Sequence, residues 1–363
     1  MNIFIMELQS FIDNNSNYCE IIKQNGFKIK KYSKYNCILV KNYFDKELNF
    51  TDVESESDYW KMYCRGAIID TKQNKVICLP PVKAREIELN DIQSEESEIQ
   101  YLIDGTMINL FYCNNEWVLS TRSDIGGYNK WNNKKSFRQM FTECTLFDYS
   151  LLNKTCSYSF VLRHTENRNI SPITKNELYL VEVYNYQNDT IQRVHVNDYP
   201  DLLKTDNLDS LSVKDIEEIE RDYAIKGYTI KQNNKRYKII NKEFEKVKSL
   251  TVNMNNDMIH YIELRKNGNL KQYLKYFPEK NKLFNEYRNT IHKLSNELYT
   301  NYKNIYVLKK KSREETPYHL KPLIHDVHSI YKQSKKPISW DDIKNYIHSL
   351  PSKRIMFAIN YSE

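Results

Sequence analysis

Two hydrophobic periods divide the chain. From about residue 27 to 248, short β-branched and aromatic runs are separated by polar turn clusters, a pattern typical of strands. After about residue 252 the apolar positions recur every three to four residues, which predicts helices over 256–276, 280–303, 318–333 and 339–349. Residues 1 to about 25 predict one short amphipathic helix. We therefore expect an α+β fold, with a β-rich antiparallel-sheet domain over 1–250 and a helical C-terminal domain over 251–363.

One hairpin can be placed from its turn. Thr106–Cys113 and Glu116–Arg122 alternate apolar and polar residues on either side of Asn114-Asn115. Asparagine tolerates the positive φ angles that a two-residue turn requires. The pattern predicts two antiparallel neighbouring strands.

Composition and charge narrow the functional classes. The formal net charge of +7 mildly favours polyanionic partners such as RNA, although 47 acidic residues accompany 54 basic ones. The seven cysteines form no C-x-x-C pair, and the eight histidines show no metal-ligand spacing. We expect reduced thiols in a cytoplasmic compartment, no dedicated metal site, and neither a signal peptide nor a membrane anchor.

Short motifs follow one another through the β-rich region. They read YCRGAIID at 63–70, CLPPVKARE at 78–86, YLIDGTMINLFY at 101–112, WVLSTRSDIGG at 117–127, SFVLRHTENRNIS at 159–171, IKGYTIK at 225–231 and YKIINKEF at 237–244. Their order and spacing resemble the nucleotidyltransferase domain of phage-type ATP-dependent RNA ligases, and look closest to ligase-like proteins of large cytoplasmic DNA viruses. The resemblance covers roughly residues 30–250. It implies a ligase-type antiparallel-sheet fold.

The resemblance also shows what this chain has lost. In the family, a lysine in a K-x-D-G motif attacks the α-phosphate of ATP, and the nucleotide then passes to the 5′-phosphate of RNA. Here the nucleophile position is Leu102, although Asp104 and Gly105 remain. The family's glutamate of the E-G motif corresponds to Lys226, and another glutamate corresponds to Val161. The second lysine of its K-x-K motif corresponds to Ile240. These substitutions predict a catalytically impaired protein.

The retained polar positions imply binding. We expect nucleotide or phosphate contacts from the six residues that match the family pattern: Arg65, Lys83, Asp104, Arg168, Lys231 and Lys238. Lys226 has two interpretations, a relocated nucleophile or a lysine that only fills the altered position. The first interpretation implies a working ligase that uses ATP with Mg²⁺. The second leaves a protein that binds RNA or nucleotide, or a scaffold with protein partners in a transcription or RNA-processing assembly of a viral factory or virion.

A third interpretation is purely structural. Leu102, Val161 and Ile240 are apolar where the family has polar residues. Packed together, such side chains would fill the nucleotide pocket.

A basic segment in the helical region has two interpretations as well. Leu308–Arg313 reads LKKKSR, with Tyr302, Tyr306 and Tyr318 nearby. Interleaved cations and aromatic rings are typical of nucleic-acid surfaces. The same pattern also fits a solvated loop between two helices.

Overall fold

The computed structural model describes most of the chain. The described residues are 3–4, 7–42, 56–88, 90, 97–130, 135–187, 190–199, 201–205, 207–208, 210–232, 235–251 and 256–361. They divide into two compact units, Met1–Lys246 and Val247–Glu363.

The first unit contains three sheets. Sheet I has the order β1 (Ile3–Phe4), β12 (Thr190–Val194), β11 (Glu177–Gln187), β10 (Cys156–Arg163), β8 (Thr106–Cys113) and β9 (Glu116–Ser120). Sheet II has the order β13 (Asn207–Leu208), β7 (Glu98–Tyr101), β14 (Gly227–Gln232), β15 (Lys235–Ile240) and β6 (Arg85–Glu86). Sheet III has the order β2 (Phe27–Tyr32), β3 (Cys37–Asn42), β4 (Ala67–Asp70) and β5 (Lys75–Cys78). The described strand pairs are antiparallel except β15 with β6.

The predicted hairpin is confirmed. Strands β8 and β9 pair through Cys113 and Glu116, and the two turn residues between them have φ angles of 49° and 62°. Two consecutive positive φ angles match the right-handed twist of the flanking strands. The asparagine pair therefore sets the register of this hairpin.

Helices cover one face of each sheet in this unit. The helix α3 (Phe137–Cys144) begins with a capping box between Ser136 and Gln139, and it packs Met140 and Phe141 into the core of sheet I. The helix α4 (Val213–Ile219) buries Ile219 against sheet II. Full burial of one such side chain stabilises the fold by about 1.5–3 kcal/mol.

The N-terminal region differs from the single predicted helix. It contains the helices α1 (Glu7–Asn14) and α2 (Tyr18–Gln24), which pack Leu8, Ile12 and Ile22 into the core of sheet III. A turn separates them because the polar run from 14 to 17 favours turns over helix. The apolar spacing was interpreted correctly, but this break was missed.

The second unit is helical, as predicted. After α5 (Lys242–Ser249), which crosses the boundary, it contains α6 (Asp257–Lys266), α7 (Leu270–Tyr276), α8 (Asn281–Tyr302), α9 (Lys321–Ser334), α10 (Trp340–Ser349) and α11 (Ser352–Asn360). The predicted segment 256–276 is divided at Gly268, whose φ of 72° ends α6. Helix α11 was not predicted, although Ile355 and Ala358 are buried at helical spacing. The α+β class with a C-terminal helical region is confirmed.

None of the helices among the described residues is both long enough and apolar enough to cross a membrane. The seven cysteines are free thiols.

Candidate functional site

Asp104 is the centre of a buried polar cluster. It lies in the connection from β7 to β8, and one of its carboxylate oxygens accepts hydrogen bonds from the backbone N–H groups of Ile170 (2.9 Å) and Ser171 (3.0 Å). The other oxygen lies 3.4 Å from Nζ of Lys226. The carboxylate thus holds a loop on one side and an ammonium group on the other. Three motifs that are far apart in sequence meet at this residue.

Gly105 is required by the close approach of β10. A Cβ at this position would lie 2.5 Å from the carbonyl oxygen of Leu162 and 2.6 Å from a methyl group of Val161. Such distances are below van der Waals contact, so only glycine fits without displacing the strand. Packing against β10 therefore accounts for the glycine of the D-G pair by itself.

The loop after β10 is braced by its own polar side chains. The Asn167 side chain donates to the hydroxyl of Thr106 at 3.0 Å. The guanidinium of Arg168 donates twice to the carbonyl oxygen of Ile170, at 3.0 and 3.1 Å, and lies 3.4 Å from the hydroxyl of Tyr223. Since Ile170 also donates to the central carboxylate, Arg168 helps to shape the loop that holds Asp104.

Lys226 approaches the cluster from the residue before β14. Its side chain is 28% exposed, and its amine lies 5.8 Å from the ring centre of Phe244. Leu102, at the position that the family resemblance assigns to the nucleophile, is half-buried, and its backbone N–H donates to the carbonyl of Gly227 at 2.8 Å. An amine is therefore present beside Asp104, but it belongs to Lys226 and not to residue 102.

The three apolar positions do not share one environment. Val161 is buried and lies against Gly105. Leu102 and Ile240 are each only half-buried.

Lys231 belongs to a buried charge network between sheets I and II. It is 5% exposed, donates to the carbonyl oxygen of Val181 at 2.9 Å, and lies 3.3 Å from Glu98 and 3.7 Å from Glu182. Arg193 of β12 pairs with the same two carboxylates. Each cation is thus neutralised by carboxylates within the protein, and Lys231 has no exposed amine to offer a phosphate.

The charge network perturbs the acid–base behaviour of its members. Burial alone would raise the pKa of Glu98 and of Glu182, but the nearby Lys231 and Arg193 outweigh it and lower both pKa values. Burial lowers the pKa of Lys231, and the attraction of Glu182 opposes that shift. The two carboxylates are ionised at neutral pH.

Three predicted phosphate-contact residues lie nearer the surface. Lys238 pairs with Glu86 at 2.8 Å, with 29% and 57% of the two side chains exposed. Arg65 and Lys83 are half-buried. Of the six predicted contact residues, the hydrogen bonds described above bring Asp104 and Arg168 together through Ile170. The roles of all six in nucleotide binding stay predictions.

A second polar cluster was not predicted from the sequence. Glu143, His164 and Glu166 place ligand atoms within 4.8 Å of one another, and the ammonium of Lys135 lies 2.9 and 2.6 Å from the two carboxylates. The N–H of Glu166 donates to Nδ1 of His164 (3.1 Å), so Nε2, at 2.8 Å from Glu143, carries the proton. The ammonium of Lys135 supplies a positive charge beside the two carboxylates.

Sequence reasoning missed Glu98 and Glu182, the carboxylates of the buried charge network, because their partner Lys231 is distant in the chain. Glu182 did offer a signal, since it occupies an inward-facing position of an apolar strand beside Val181 and Val183. A charge at such a position requires a buried partner.

Comparisons with known proteins give weak similarities. No family model matches the chain. The immediate-early protein ICP-46 homolog of Invertebrate iridescent virus 3 is 22% identical over an alignment of 294 residues, and the match covers 74% of this chain and 64% of that protein. The chain therefore spans less than two thirds of the length of this relative.

Solved structures similar to this chain include ATP-dependent ligases. Two forms of an archaeal ATP-dependent RNA ligase show 11% identity and TM-scores of 0.45 and 0.46, covering 65% of this chain and 63% and 64% of theirs. A Naegleria gruberi RNA ligase mutant shows 11% identity and a TM-score of 0.33, covering 44% of this chain and 53% of its own.

Proposed function

We propose that this protein is a catalytically impaired, RNA-ligase-like protein that binds RNA or a nucleotide without transferring it. The order of motifs from 63 to 244 supports the family resemblance. The observation that carries the proposal is the ion pair between Asp104 and Lys226, beside a leucine at the nucleophile position. The proposal includes a scaffolding role, in which the protein binds RNA as part of a viral transcription or RNA-processing assembly.

The chemistry of the Lys226 amine supports the loss of transfer. An amine attacks phosphorus through its lone pair, so it must first lose its proton. The Asp104 carboxylate lies 3.4 Å from this amine and forms an ion pair with it. The carboxylate is itself held by two backbone N–H groups and cannot swing away without leaving them unpaired. Lys226 is therefore placed as a structural counter-ion.

The residues present do not fit the metal of the family reaction. The two positions at which the resembled ligases have glutamates are Val161 and Lys226, which offer a methyl group and a cation. Divalent magnesium prefers oxygen ligands, usually carboxylates and water. We therefore propose no transfer step that depends on Mg²⁺ at these positions.

Covalent labelling tests this proposal. Purified protein is incubated with α-³²P-labelled ATP and Mg²⁺ or Mn²⁺, and separated on a denaturing gel. We expect no labelled protein from the wild type. A labelled band that disappears in Lys226→Ala but remains in the control variant Lys242→Ala, an exposed lysine outside the predicted site, would overturn the proposal and establish a working ligase with a relocated nucleophile.

Thermal unfolding distinguishes binding from a purely structural role. A ligand at a hundredfold excess over its Kd stabilises the native state by about 2.7 kcal/mol. We expect ATP or single-stranded RNA to raise the Tm in the same preparation that shows no labelling. Unchanged melting with both ligands, up to millimolar nucleotide, would favour the structural interpretation over the binding one.

A further inference from the structure

The basic segment Lys309–Arg313 of the helical unit is exposed. Lys309, Lys310, Lys311 and Arg313 all lie on the surface. The three lysines have no ion-pair partner among residues 256–361. Glu315, which follows the segment, accepts a hydrogen bond from the N–H of Ser312 at 2.6 Å. Adjacent unpaired ammonium groups repel one another and attract a polyanion.

The backbone fixes where this segment lies. Helix α8 continues into a π-helical turn, Lys303–Val307. Such π-helical turns are rare and often occur at functional sites. The N–H groups of Lys310 and Lys311 then return to the carbonyl of Asn304, at 2.7 and 3.3 Å, and Lys309 adopts a φ of 53°. The basic segment is thus folded back onto the end of the helix instead of extending freely into solvent.

A stack of planar groups adjoins the segment. The ring of Tyr306, within the π-helical turn, stacks on His328 of α9 with centroids 3.7 Å apart and an angle of 9° between planes. The guanidinium of Arg313 lies over the Tyr306 ring, 5.1 Å from its centre. Tyr331 stacks on the same histidine at 5.8 Å and 22°, and it is 39% exposed. Planar groups therefore extend from the basic segment to a partly exposed tyrosine.

His328 is suited to stacking. Burial lowers its pKa, as do the neighbouring cations Lys332 and Arg313, so the ring is neutral at pH 7. Its Nδ1 is buried and has no hydrogen-bond partner in the described part of the chain. A neutral ring between two tyrosines contributes a flat surface without adding charge repulsion.

We propose that this surface, formed by Lys309, Lys310, Lys311, Arg313 and Tyr331, binds single-stranded nucleic acid. The lysines contact consecutive phosphates, while Arg313 and Tyr331 offer planar faces to unpaired bases. Base stacking on such faces is tolerant of sequence. Duplex nucleic acid has no exposed base faces, and an acidic protein segment offers charge without planar bases. A single strand fits both halves of the surface, the three lysines and the planar groups of Arg313 and Tyr331. This site lies in the helical unit and does not depend on the proposed function of the β-rich unit.

Fluorescence anisotropy with the full chain tests the proposal. The probes are a 12-nucleotide single-stranded RNA, the DNA of the same sequence and the corresponding RNA duplex, each titrated at several salt concentrations. We expect the Lys309→Gln, Lys310→Gln, Lys311→Gln triple variant to lose at least tenfold in affinity for the RNA. Each lost phosphate contact lowers the salt slope by about 0.7 for a single strand, so the slope falls by about 2.

A matched variant controls for net charge. Lys271, Lys275 and Lys282 are exposed on α7 and the first turn of α8. The 22-residue helix α8 separates the last of them from the basic segment by about 33 Å. Their triple replacement by glutamine removes the same charge, and we expect it to change RNA affinity less than twofold.

The two halves of the surface give different signatures. Tyr331→Ala should weaken single-strand binding about fivefold or more while leaving the salt slope unchanged, because stacking releases no counterions. Comparable binding of RNA and DNA supports recognition of phosphates and base faces, and a preference for RNA supports an added contact to the 2′-hydroxyl. Equal losses in the two triple variants, equal affinity for the duplex, or binding of poly-glutamate that competes at the same sites would overturn the proposal. Retained RNA binding in Lys226→Ala separates this site from Asp104.

Discussion

Two lysines of the β-rich unit and three of the helical unit have opposite environments. In the β-rich unit, Lys231 and Lys226 face carboxylates of the same fold, and Lys231 is almost completely buried. In the helical unit, Lys309, Lys310 and Lys311 are exposed and have no ion-pair partner among residues 256–361. A positive charge attracts a phosphate only when it is not already neutralised and desolvated. The comparison shows that the two lysines of the β-rich unit already have carboxylate partners within the fold, whereas the three lysines of the helical unit are exposed.

The buried network should matter most for stability. Glu182→Gln removes one of the two carboxylates shared by Arg193 and Lys231 and leaves a buried cation incompletely paired. We expect a loss of about 3–5 kcal/mol in the free energy of unfolding, measured by urea denaturation. As a control, Glu116→Gln removes a carboxylate whose partner, Lys34, is exposed, and should have no measurable effect. Equal stability of the two variants would show that the network is not structural.

Acid should weaken the same network. The pKa values of Glu98 and Glu182 are lower in the folded protein than in the unfolded chain, where a glutamate titrates near pH 4.3. Their stabilisation is therefore fully present above about pH 5 and is lost as the pH falls through the folded values. We expect the stability difference between wild type and Glu182→Gln to shrink between pH 5 and pH 3.

Urea denaturation at pH 7, 5, 4 and 3 measures this difference. Wild type should lose more stability than the variant over that range, because the variant no longer has one of the two shifted carboxylates. A difference that stays constant with pH would contradict the ionised state of Glu182 in the folded protein.

The partly exposed pair should have a smaller effect. Lys226→Met leaves the Asp104 carboxylate with its two backbone donors but without its counter-ion. We expect a loss of about 1–2 kcal/mol, between the values typical of surface pairs and of buried pairs. Lys238→Met, which breaks a more exposed pair with Glu86, should lose less than about 1 kcal/mol. A larger loss of unfolding free energy in Lys238→Met than in Lys226→Met would contradict the expectation that the less exposed pair contributes more to stability.

The local features of this protein could be predicted from sequence. The asparagine turn between β8 and β9, the shift from strand to helix periods and the exposed basic segment all depend on residues within one or two turns of each other. Helix α11 was missed altogether, and the N-terminal helix was predicted without its break; element boundaries are where periodicity is least informative.

Tertiary structure decided which charges are paired. Lys226 and Asp104 are 122 residues apart, and Lys231 and Glu98 are 133 residues apart. Their meeting depends on the pairing of β7 with β14 and on the approach of sheets I and II, which no local pattern specifies. The sequence alone determined that these residues carry charge. Only the folded chain, by placing them beside one another, determined which of these charges pair with each other.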